Sequence, residues 1–509
     1  MEKVIGAIDV GTTGCRTILF NLDGKEIARH YEEWSSIFPS PVMVEQDANH
    51  WWAAVKTTIQ GAIKKGNVKP EDIISVSITN QRETIVPVDL NGTPLHNALV
   101  WQDRRTTLQC DQIKTKIGIE KVYNTTGLTI DPYFSSSKIM WIKENKPEIY
   151  QNVHKFLLVA DYILYKLTGK FATDYSNASR TMLFDIRKLK WSDDLASAMG
   201  LDIDKMPEAV PSGSYVGNVT AEDCGLAKST KVIAGAGDQQ CAALGVGVVK
   251  PGRIKCTTGT GSFILAYLDE PKFDPERRVL CSCAAVPGKY VQEASIFTTG
   301  SVLRWARDNF AIQECQVAQQ SQIDPYDLMT EKAKNSKIGA KGLILVPHFV
   351  GAGAPHWNPY ARGIMFGLAL GHTTADIYRA IMEGVCYEVK KSVKVFQQLG
   401  VEIAEMRITG GGSRSELWNQ IMADVLGIKC GRGELEESTA VGAAILAAYG
   451  AGEYKDLAIA AENIAHINKF WNPNPEAVKI YEKSFKIAEE LYNTINKTNI
   501  YRELSEITE

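Results

Sequence analysis

The sequence predicts an α/β protein built from two related domains, and three observations lead to this expectation. The chain has 509 residues, which is more than one hydrophobic core usually holds. A strand, a glycine turn and a second strand begin at residue 4, and the same layout returns at about residue 253. Helical patterns of apolar residues fill much of the remainder. We therefore predict one domain over residues 1–245 and a second over residues 246–509.

The composition is that of an ordinary folded protein, with 45% hydrophobic and 23% charged residues. The formal net charge is −3 and the basic residues are scattered, so no basic field exists for nucleic acid or an anionic membrane. The sequence contains neither an apolar run of about eighteen residues nor an export signal, which predicts a cytoplasmic protein without a membrane partner. The ten cysteines lack the paired spacing of a zinc site, so we expect reduced, structural thiols.

The first hairpin, "KVIGAIDVGTTGCRTILF", contains the first candidate site. Asp9 ends the predicted first strand, and the glycine turn after it contains Thr12 and Thr13 and is followed by Arg16. Backbone N–H groups and two hydroxyls at one turn suit a phosphate, and a neighbouring acid can hold Mg²⁺ through water. An ordinary β-turn that begins with an aspartate is the alternative.

The second hairpin, "GRIKCTTGTGSFILAYLDE", repeats this layout with Gly259 and Thr260 in its turn. Two such turns can grip a polyphosphate from two sides, with the ligand in a cleft between the domains. A third glycine turn, Gly410-Gly411-Gly412, lies between the predicted strand "EMRIT" and the predicted helix "RSELWNQIMADVLG". Glycines there let the backbone approach an anionic ligand closely. The spacing matches neither a Walker loop nor the dinucleotide fingerprint.

Helical spacing of apolar residues predicts further helices in "ANHWWAAVKTTIQGAIKK" and "DIYRAIMEGVCYEVKKSVKVFQQLG". The small-residue segment "STAVGAAILAAYGAG" predicts a helix capped by Ser438 or Thr439. The tail after about Pro475 predicts a charged amphipathic helix.

A polar group lies between the predicted strands "ISVSITN" and "TIVPVDL", where Arg82 and Glu83 follow Gln81. Trp101 and Tyr133 come later in the same half of the chain. An Arg donor, a Glu acceptor and aromatic faces form a suitable surface for a polyol, which has hydroxyls on its edges and C–H groups on its faces. A surface ion pair of Arg82 with Glu83 is the alternative.

The stretch "VIAGAGDQQCAALG" places Asp238, Gln239 and Gln240 directly after a predicted strand. Asp238 can be the N-cap of a helix that begins at Gln239. Alternatively, these side chains are presented to a substrate at the mouth of the sheet. The residues leave both interpretations open, and the small residues that follow predict a helix packed close to the sheet.

The whole chain resembles the FGGY carbohydrate kinases, a family within the actin, hexokinase and Hsp70 superfamily. "YFSSSKIMWIKEN", residues 133–145, is similar to the first family signature, and "GIMFGLALGHTTADIYRAIME", residues 363–383, is similar to the second. The resemblance implies an α/β fold of two related ribonuclease-H-like (actin/hexokinase/Hsp70-type) domains with an active-site cleft between them. It also implies phosphorylation of a small polyol or sugar, with ATP and Mg²⁺ as cofactors and with ATP bound by the C-terminal domain.

Within the family, the segments "SITNQRET", "ALVWQDRRT", "DPYFSSSK" and "GDQQCAALG" are most similar to the glycerol kinases. This resemblance implies that Asp238 is the general base and that Gln240 is a structural support. The implied substrate-binding residues are Arg82, Glu83, Trp101, Tyr133, Asp238, Gln239 and Phe263. The implied ATP-binding residues are Thr12, Thr13, Arg16, Gly259, Thr260, Gly300, Gly411 and Ser415, and Asp9 is the implied metal-binding residue.

Three features depart from the glycerol kinase pattern. "GAGAPHWNPYARG" and "TGGGSRSELWNQ" are more similar to ketose kinases, and Ser415 stands where glycerol kinases tend to have Asn. The chain also lacks, near "GAGDQQ", the basic residue that accompanies feedback by a sugar bisphosphate, so we do not expect that regulation. A kinase for xylulose, erythritol or a linear signalling sugar is the alternative. An Hsp70- or actin-like ATPase is the rival of another class. The oligomeric state is open, with a homodimer or a tetramer as candidates.

Overall fold

The structure is a computed structural model that describes residues 3–508. The chain packs as two compact units, each discontinuous in sequence. The first unit consists of Met1–Lys250, Tyr267–Val291 and Glu437–His466, and the second of Pro251–Ala266, Gln292–Glu436 and Ile467–Glu509. The predicted boundary after residue 245 stays a prediction, and the first unit takes in two later segments of the chain.

The strands in residues 3–508 are β1 (Val4–Val10), β2 (Gly14–Asn21), β3 (Glu26–Glu33), β4 (Ile37–Ser40), β5 (Met43–Gln46), β6 (Ile73–Asn80), β7 (Ile85–Val88), β8 (Ala98–Leu99), β9 (Lys155–Leu158), β10 (Ala172–Asp174), β11 (Phe184–Asp185), β12 (Lys190–Trp191), β13 (Glu208–Val210), β14 (Tyr215–Asn218), β15 (Lys231–Gly237), β16 (Gly252–Thr258), β17 (Ser262–Leu268), β18 (Leu280–Cys283), β19 (Tyr290–Ile296), β20 (Ile344–Val346), β21 (Ile364–Phe366), β22 (Ile403–Thr409), β23 (Lys429–Gly433) and β24 (Ile467–Trp471).

The α-helices are α1 (Ala48–Gly66), α2 (Thr107–Lys116), α3 (Ile119–Thr126), α4 (Ser135–Asn145), α5 (Pro147–Asn152), α6 (Val159–Thr168), α7 (Tyr175–Ala178), α8 (Asp193–Met199), α9 (Asp238–Gly245), α10 (Gly300–Phe310), α11 (Ile312–Ser321), α12 (Pro325–Lys334), α13 (Thr374–Gln398), α14 (Glu416–Leu426), α15 (Ser438–Ala451), α16 (Leu457–Ile464), α17 (Pro475–Asn496) and α18 (Ile500–Thr508).

The main sheet of the first unit has the strand order β14-β15-β6-β1-β2-β3. β1 and β2 form the predicted antiparallel hairpin, and β1 runs parallel to β6, which runs parallel to β15. β1 is a nearly continuous apolar run that is buried along most of its length, as expected for a central strand covered on both faces. The apolar core beside it includes Trp51 and Val55 of α1 and Tyr162 of α6. This sheet brings the carboxyl ends of β1, β6 and β15 to one edge.

The second unit contains the strand order β17-β16-β22-β23-β24, which is part of a seven-stranded sheet. β16 and β17 form the second predicted hairpin, and β16 runs parallel to β22, which runs parallel to β23. The edge strand β24 is antiparallel to β23, as β14 is to β15 in the first unit. Each sheet therefore contains a hairpin, two strands parallel to the first strand of that hairpin, and an antiparallel edge strand. The prediction of two related α/β domains is confirmed.

The predicted long helices are present as α1, α13, α14, α15 and α17. α1 begins after Asp47, whose side chain accepts the Asn49 N–H at 2.9 Å. α17 has Asn474 as its N-cap and Pro475 in its first turn, where a missing N–H costs nothing. The described helices include none that is both long enough and apolar enough to span a bilayer. All ten cysteines are free thiols, and nine of them are buried.

Two predicted helix starts were wrong. α9 begins at Asp238, one residue earlier than predicted. Its N-cap is Gly237, the last residue of β15, so the strand passes directly into the helix. α15 has Glu437 as its N-cap instead of Ser438 or Thr439, and no side chain caps it. Small residues on both helices let α9 and α15 pack closely. A Cβ on Gly442 of α15 would lie 1.9 Å from the Cys241 carbonyl oxygen of α9, and a Cβ on Gly245 of α9 would lie 1.9 Å from the Ser438 carbonyl oxygen of α15.

Candidate active site

The turn between β1 and β2 is held by side chains from elsewhere in the first unit. The Thr12 carbonyl oxygen accepts Nε1–H of Trp34 at 3.1 Å and Nε2–H of Gln46 at 2.8 Å. The Thr12 hydroxyl accepts Nε1–H of Trp101 at 2.9 Å. Thr13, the next residue, is exposed. The turn is thus fixed from behind while its tip remains open to a ligand.

Asp9 lies opposite Arg16 in this hairpin, with 3.7 Å between Asp9 Oδ2 and Arg16 Nε. The Arg16 guanidinium also forms an ion pair with Glu437, the residue before α15. Burial raises the pKa of Asp9 to about 7; Arg16 opposes this rise, and the nearby carboxylates of Asp238 and Glu437 add to it. Burial thus disfavours the ionised form of Asp9, and a cation close to it would favour that form.

Arg82 lies at the end of β6 and is almost completely buried, with its side chain 1% exposed. Its Nε is 3.2 Å from Oδ1 of Asp238, at the start of α9. Its Nη1 donates to Oε1 of Gln240 at 3.3 Å, and Nε2 of Gln240 donates to the Ser282 hydroxyl at 3.3 Å. Gln240 is therefore a buried link, in agreement with its predicted supporting role.

Glu83 is buried as deeply as Arg82, which excludes the alternative of a surface ion pair. Oε1 of Glu83 is 3.9 Å from Nε of Arg82 and 2.6 Å from Nε of Arg180. The Glu83 backbone has φ of 63°, a left-handed conformation that non-glycine residues adopt at a cost. The Ser135 hydroxyl donates to the Glu83 carbonyl oxygen at 2.9 Å and helps to hold this conformation.

The aromatic side chains of Trp101 and Tyr133 lie edge to face, with ring centroids 5.6 Å apart. Both side chains are half-buried. Trp101 is bonded to the residue after Glu83, since its backbone N–H donates to the Thr84 hydroxyl at 3.1 Å. The buried Lys138 donates to the Tyr133 carbonyl oxygen at 2.8 Å. Burial lowers the pKa of Lys138 to about 8.

Asp238 is more exposed to solvent than Glu83. Its side chain is 34% exposed, whereas that of Glu83 is 1% exposed. Its Oδ1 accepts the Gln239 backbone N–H at 2.7 Å, and its Oδ2 is 3.3 Å from Nε2 of Gln239. The carboxylate therefore satisfies an N–H of the first helical turn and is open to a ligand as well. The N-cap interpretation of Asp238 is wrong, since Gly237 is the N-cap of α9, and the exposure of the carboxylate fits the alternative of a side chain presented to a ligand.

In the second unit, the turn between β16 and β17 packs against the start of α10. The Gly300 N–H donates to the Gly259 carbonyl oxygen at 2.9 Å, and the Ser301 N–H donates to that of Thr260 at 3.2 Å. A Cβ on Gly300 would lie 2.3 Å from the Gly259 oxygen, so only glycine allows this approach. Three residues predicted to bind ATP are thus neighbours.

The glycine turn after β22 continues as a 3-10 turn over Gly411–Arg414 and contacts Thr258 at the end of β16. Ser415 is the N-cap of α14, where its hydroxyl accepts the Trp418 N–H at 3.2 Å. Phe263 is on β17 of this unit. Its assignment to the substrate pocket, and the nucleotide contacts of Gly411 and Ser415, stay predictions.

The sequence analysis missed Arg180, which is fully buried and pairs with Glu83. Its guanidinium lies over the rings of Phe134 and Tyr133, 5.2 Å and 5.8 Å from their centroids. One signal was present: Arg180 is the sole charged residue between Asp174 and Asp185. Glu437, the partner of Arg16, was also missed, and its sequence neighbourhood of other acids contains no comparable signal.

The two units share a sheet topology with a glycine turn in each hairpin, and the first unit contains a buried group of acidic and basic side chains. Residues 4–245 match the N-terminal domain of the FGGY family of carbohydrate kinases, and residues 254–451 match the C-terminal domain of that family. The chain belongs to the FGGY family of carbohydrate kinases. It is a carbohydrate kinase.

The chain is 37% identical over 465 residues to glycerol kinase 2 of Thermotoga maritima, covering 89% of this chain and 91% of that protein. It is 38% identical over 464 residues to the glycerol kinase of Petrotoga mobilis, covering 89% and 90%. The Plasmodium falciparum glycerol kinase with ADP superposes with a TM-score of 0.86 at 25% identity, covering 96% of this chain and 98% of that chain. A Lactobacillus acidophilus xylulose kinase superposes with a TM-score of 0.90 at 24% identity, covering 99% and 100%, and shows the fold alone.

Proposed function

We propose that this kinase transfers the γ-phosphoryl group of ATP to a terminal hydroxyl of glycerol and releases glycerol 3-phosphate and ADP. The observation that supports this most is the 3.2 Å contact between the buried Arg82 guanidinium and the partly exposed Asp238 carboxylate. It joins a rigid donor to an acid that a substrate can reach. The glycerol kinases among the relatives point to the same substrate.

The acceptor would lie against Arg82, Glu83, Asp238 and Gln239, which offer donors and acceptors to its hydroxyls. Trp101 and Tyr133 would cover its C–H groups. Glu83 and Asp238 balance the charges of Arg82 and Arg180, so a neutral polyol fits this pocket better than a sugar acid does. Phe263 is proposed as a further apolar contact.

Asp238 is proposed as the general base. Its Oδ2 would accept the proton of the attacking hydroxyl as the oxygen–phosphorus bond forms, while the bond from the γ-phosphorus to the bridging oxygen breaks and its electron pair leaves with ADP. Arg82 at Oδ1 orients the carboxylate. The protein thus contributes mainly position and charge, as phosphoryl transfer requires.

The residues present fit a bound Mg²⁺. Asp9 has a raised pKa among the carboxylates of Asp238 and Glu437, which is a surplus of negative charge that a cation relieves. Within residues 3–508 no group of three or more ligating side chains forms a closed metal cage. Mg²⁺ typically binds through one or two carboxylates together with substrate phosphates and water. When bound, it would neutralise charge on the transferred phosphoryl group, with Asp9 holding it.

ATP is proposed to contact the two hairpin turns through backbone N–H groups and hydroxyls. Thr12, Thr13 and Arg16 are the proposed contacts of the first turn, and Gly259, Thr260 and Gly300 those of the second. Gly411 and Ser415 are proposed near the nucleoside. Glycine turns at strand ends suit phosphates because the backbone donors are close and preorganised.

The substrate proposal is tested by measuring ADP release with glycerol, xylulose, ribulose, erythritol and gluconate. We expect the highest kcat/KM with glycerol, by at least about tenfold over each other acceptor. The similarity of "GAGAPHWNPYARG" to ketose kinases makes xylulose the strongest competitor, and a preference for xylulose would overturn the proposal. ATP hydrolysis that no acceptor accelerates would favour an Hsp70- or actin-like ATPase.

The base is tested by Asp238→Asn, which keeps the shape of the side chain and removes the proton acceptor. We expect kcat to fall by about 10² to 10⁴ while the circular dichroism spectrum is unchanged. Asp223→Asn, an exposed acid paired with Lys56, is the matched control and should keep kcat within about twofold. An Asp238→Asn enzyme as active as this control would remove Asp238 from the role.

A further inference from the structure

A buried polar network lies in the first unit directly after β10, in residues that have no part in the proposed chemistry. Asp174, Ser176 and Asn177 are each at most 3% exposed. The Asp174 carboxylate is the N-cap of α7 and accepts the hydroxyl of Ser176 together with the backbone and side-chain N–H groups of Asn177. The cap is therefore rigid and extends beyond its own helix.

The first arm of this network reaches the start of α9. The Gly237 N–H donates to the Ser176 hydroxyl oxygen at 3.0 Å, while that hydroxyl donates to Asp174. Gly237 is buried, is the last residue of β15 and immediately precedes Asp238. The position of the proposed base along the sheet edge thus depends on a side-chain acceptor from another segment.

The second arm reaches the end of β6. Nδ2 of Asn177 donates to Oδ1 of Asn80 at 2.9 Å, and Nδ2 of Asn80 donates to the Gln81 carbonyl oxygen at 2.7 Å. Gln81 immediately precedes Arg82. One capped turn is therefore bonded to the backbone next to Asp238 and to the backbone next to Arg82.

The two strand ends need such a tie for a physical reason. The register of β6 and β15 shifts between Ile233 and Ala236, and pairing then resumes and ends at Gly237 opposite Asn80, directly before the side chains proposed for substrate. A short paired end beyond such an irregularity has few ladder bonds of its own. Hydrogen bonds that link both strand ends to the Asp174 carboxylate, through Ser176 on one side and through Asn177 and Asn80 on the other, add to it, because breaking one leaves a buried polar group without its partner.

We propose that Asp174, Ser176 and Asn177 are positioning residues that hold Asp238 and Arg82 at their mutual distance for phosphoryl transfer. The proposal rests on the proposed role of Asp238 as general base. The three residues act through the backbone of Gly237 and Gln81 and do not touch the substrate. A displacement of catalytic groups of about 1 Å can cost about 10² in rate, so loss of one tie has a measurable kinetic effect.

The test is a comparison of Ser176→Ala, Ser176→Cys and Ser212→Ala in the full-length enzyme, with Asp238→Asn as the inactive reference. Ser176→Ala removes the acceptor of the Gly237 N–H, and Ser176→Cys fills the same space with a weak acceptor. Ser212→Ala is the matched control, since its hydroxyl donates to the same Asp174 oxygen at 3.4 Å but does not reach Gly237. For each variant, kcat, the KM for ATP, the KM for the acceptor and Tm are measured with the best acceptor of the panel.

We expect both Ser176 variants to lose about tenfold or more in kcat, with the KM for ATP within about twofold of the wild type. Ser212→Ala should keep kcat within about twofold. If the Ser176 variants lose no more kcat than Ser212→Ala, or if kcat and the KM for ATP change together with Tm, the positioning role is wrong. An active Asp238→Asn enzyme would instead show that the proposed base is wrong, so the two failures are distinguishable.

Discussion

The two hairpins of the molecule have the same topology and different chemistry. In each hairpin, the second residue pair from the turn lies near the ends of the two strands, close to the turn. In the first hairpin this pair is Asp9 opposite Arg16, and in the second it is Thr257 opposite Phe263. A charged pair in one unit therefore corresponds to an uncharged pair in the other.

The hairpins also differ in what holds their turns. Side chains of Trp34, Gln46 and Trp101 bind the first turn, whereas backbone N–H groups at the start of α10 bind the second. Backbone pairing sets the shared topology, and side chains are free to differ on it. We infer that the carboxylate of the first hairpin binds the metal ion, and that the backbone of the second hairpin fits closely against the nucleotide.

Among substitutions that compare the two hairpins, Asp9→Asn should have the greatest effect. Removing the only carboxylate of the hairpin pair should lower kcat by about 10² and raise the Mg²⁺ concentration for half-maximal rate. Thr257→Val, the change at the equivalent place of the second hairpin, should lower kcat by no more than about threefold. Steady-state rates over a Mg²⁺ titration measure both. Equal losses of kcat in the two variants would show that the two hairpins do not differ in this way.

The same substitution has a thermodynamic consequence. The pKa of Asp9 is raised from 3.8 to about 7, so the folded protein binds this proton more tightly than the unfolded chain does. The contribution of Asp9 to stability is therefore lost as the pH rises from about 4 to about 7, and it is constant above that. Asp9→Asn should exceed the wild type in free energy of unfolding by about 1–3 kcal/mol at about pH 8, and by less at about pH 5.

Urea unfolding of both proteins at several pH values measures this difference. A difference that is independent of pH would show that Asp9 is ionised in the folded state throughout the range. The first hairpin would then contain an ordinary ion pair with Arg16, and its contrast with the second hairpin would be smaller than we infer.

Arg82→Ala tests whether the first unit selects the acceptor. We expect the KM for glycerol to rise by at least about tenfold, the scale of a lost charge-assisted hydrogen bond, with little change in the KM for ATP. Arg278→Ala removes an arginine that pairs with Asp274 in the same unit and is the control. An unchanged KM for glycerol in Arg82→Ala would remove Arg82 from the pocket.

The smallest expected effect is that of Gly300→Ala in the second unit. The new Cβ would be 2.3 Å from the Gly259 oxygen, so the turn and α10 must separate. We expect the KM for ATP to rise by about threefold to tenfold and the KM for glycerol to change little. Gly371→Ala, where a Cβ meets no atom within 4 Å, is the control. A change in the KM for glycerol alone would show that the second hairpin acts on the acceptor and not on the nucleotide.

Much of the fold could be predicted because it depends on local patterns. The two hairpins follow from short apolar runs around glycine turns, and α1 and α17 follow from the helical spacing of their apolar residues. The predicted start of α9 was wrong by one residue and that of α15 by one or two, because capping depends on how the preceding strand or loop enters the helix. The inclusion of Glu437–His466 in the first unit could not be predicted, since packing over long sequence separations leaves no local pattern.

The positions of several candidate residues, though not their roles, could be predicted from side-chain type and from the ends of predicted strands. Asp238, Arg82, Glu83 and Trp101 are placed where strands end, as the motifs indicated. Arg180 and the Asp174 network were not found, because an Arg or Asp in a short polar segment has the same sequence pattern whether it is buried or exposed.

Two related α/β domains and two glycine hairpins follow from the amino-acid sequence, as does the choice of polar and aromatic residues proposed here to contact a polyol and a phosphate. Those features depend on periodicity and side-chain chemistry, which are local. The tertiary structure alone decided that Arg82 lies 3.2 Å from Asp238, that Arg180 neutralises Glu83 and that burial raises the pKa of Asp9. Each of these depends on solvent exclusion and on distances between remote segments, and both arise only when the chain has folded.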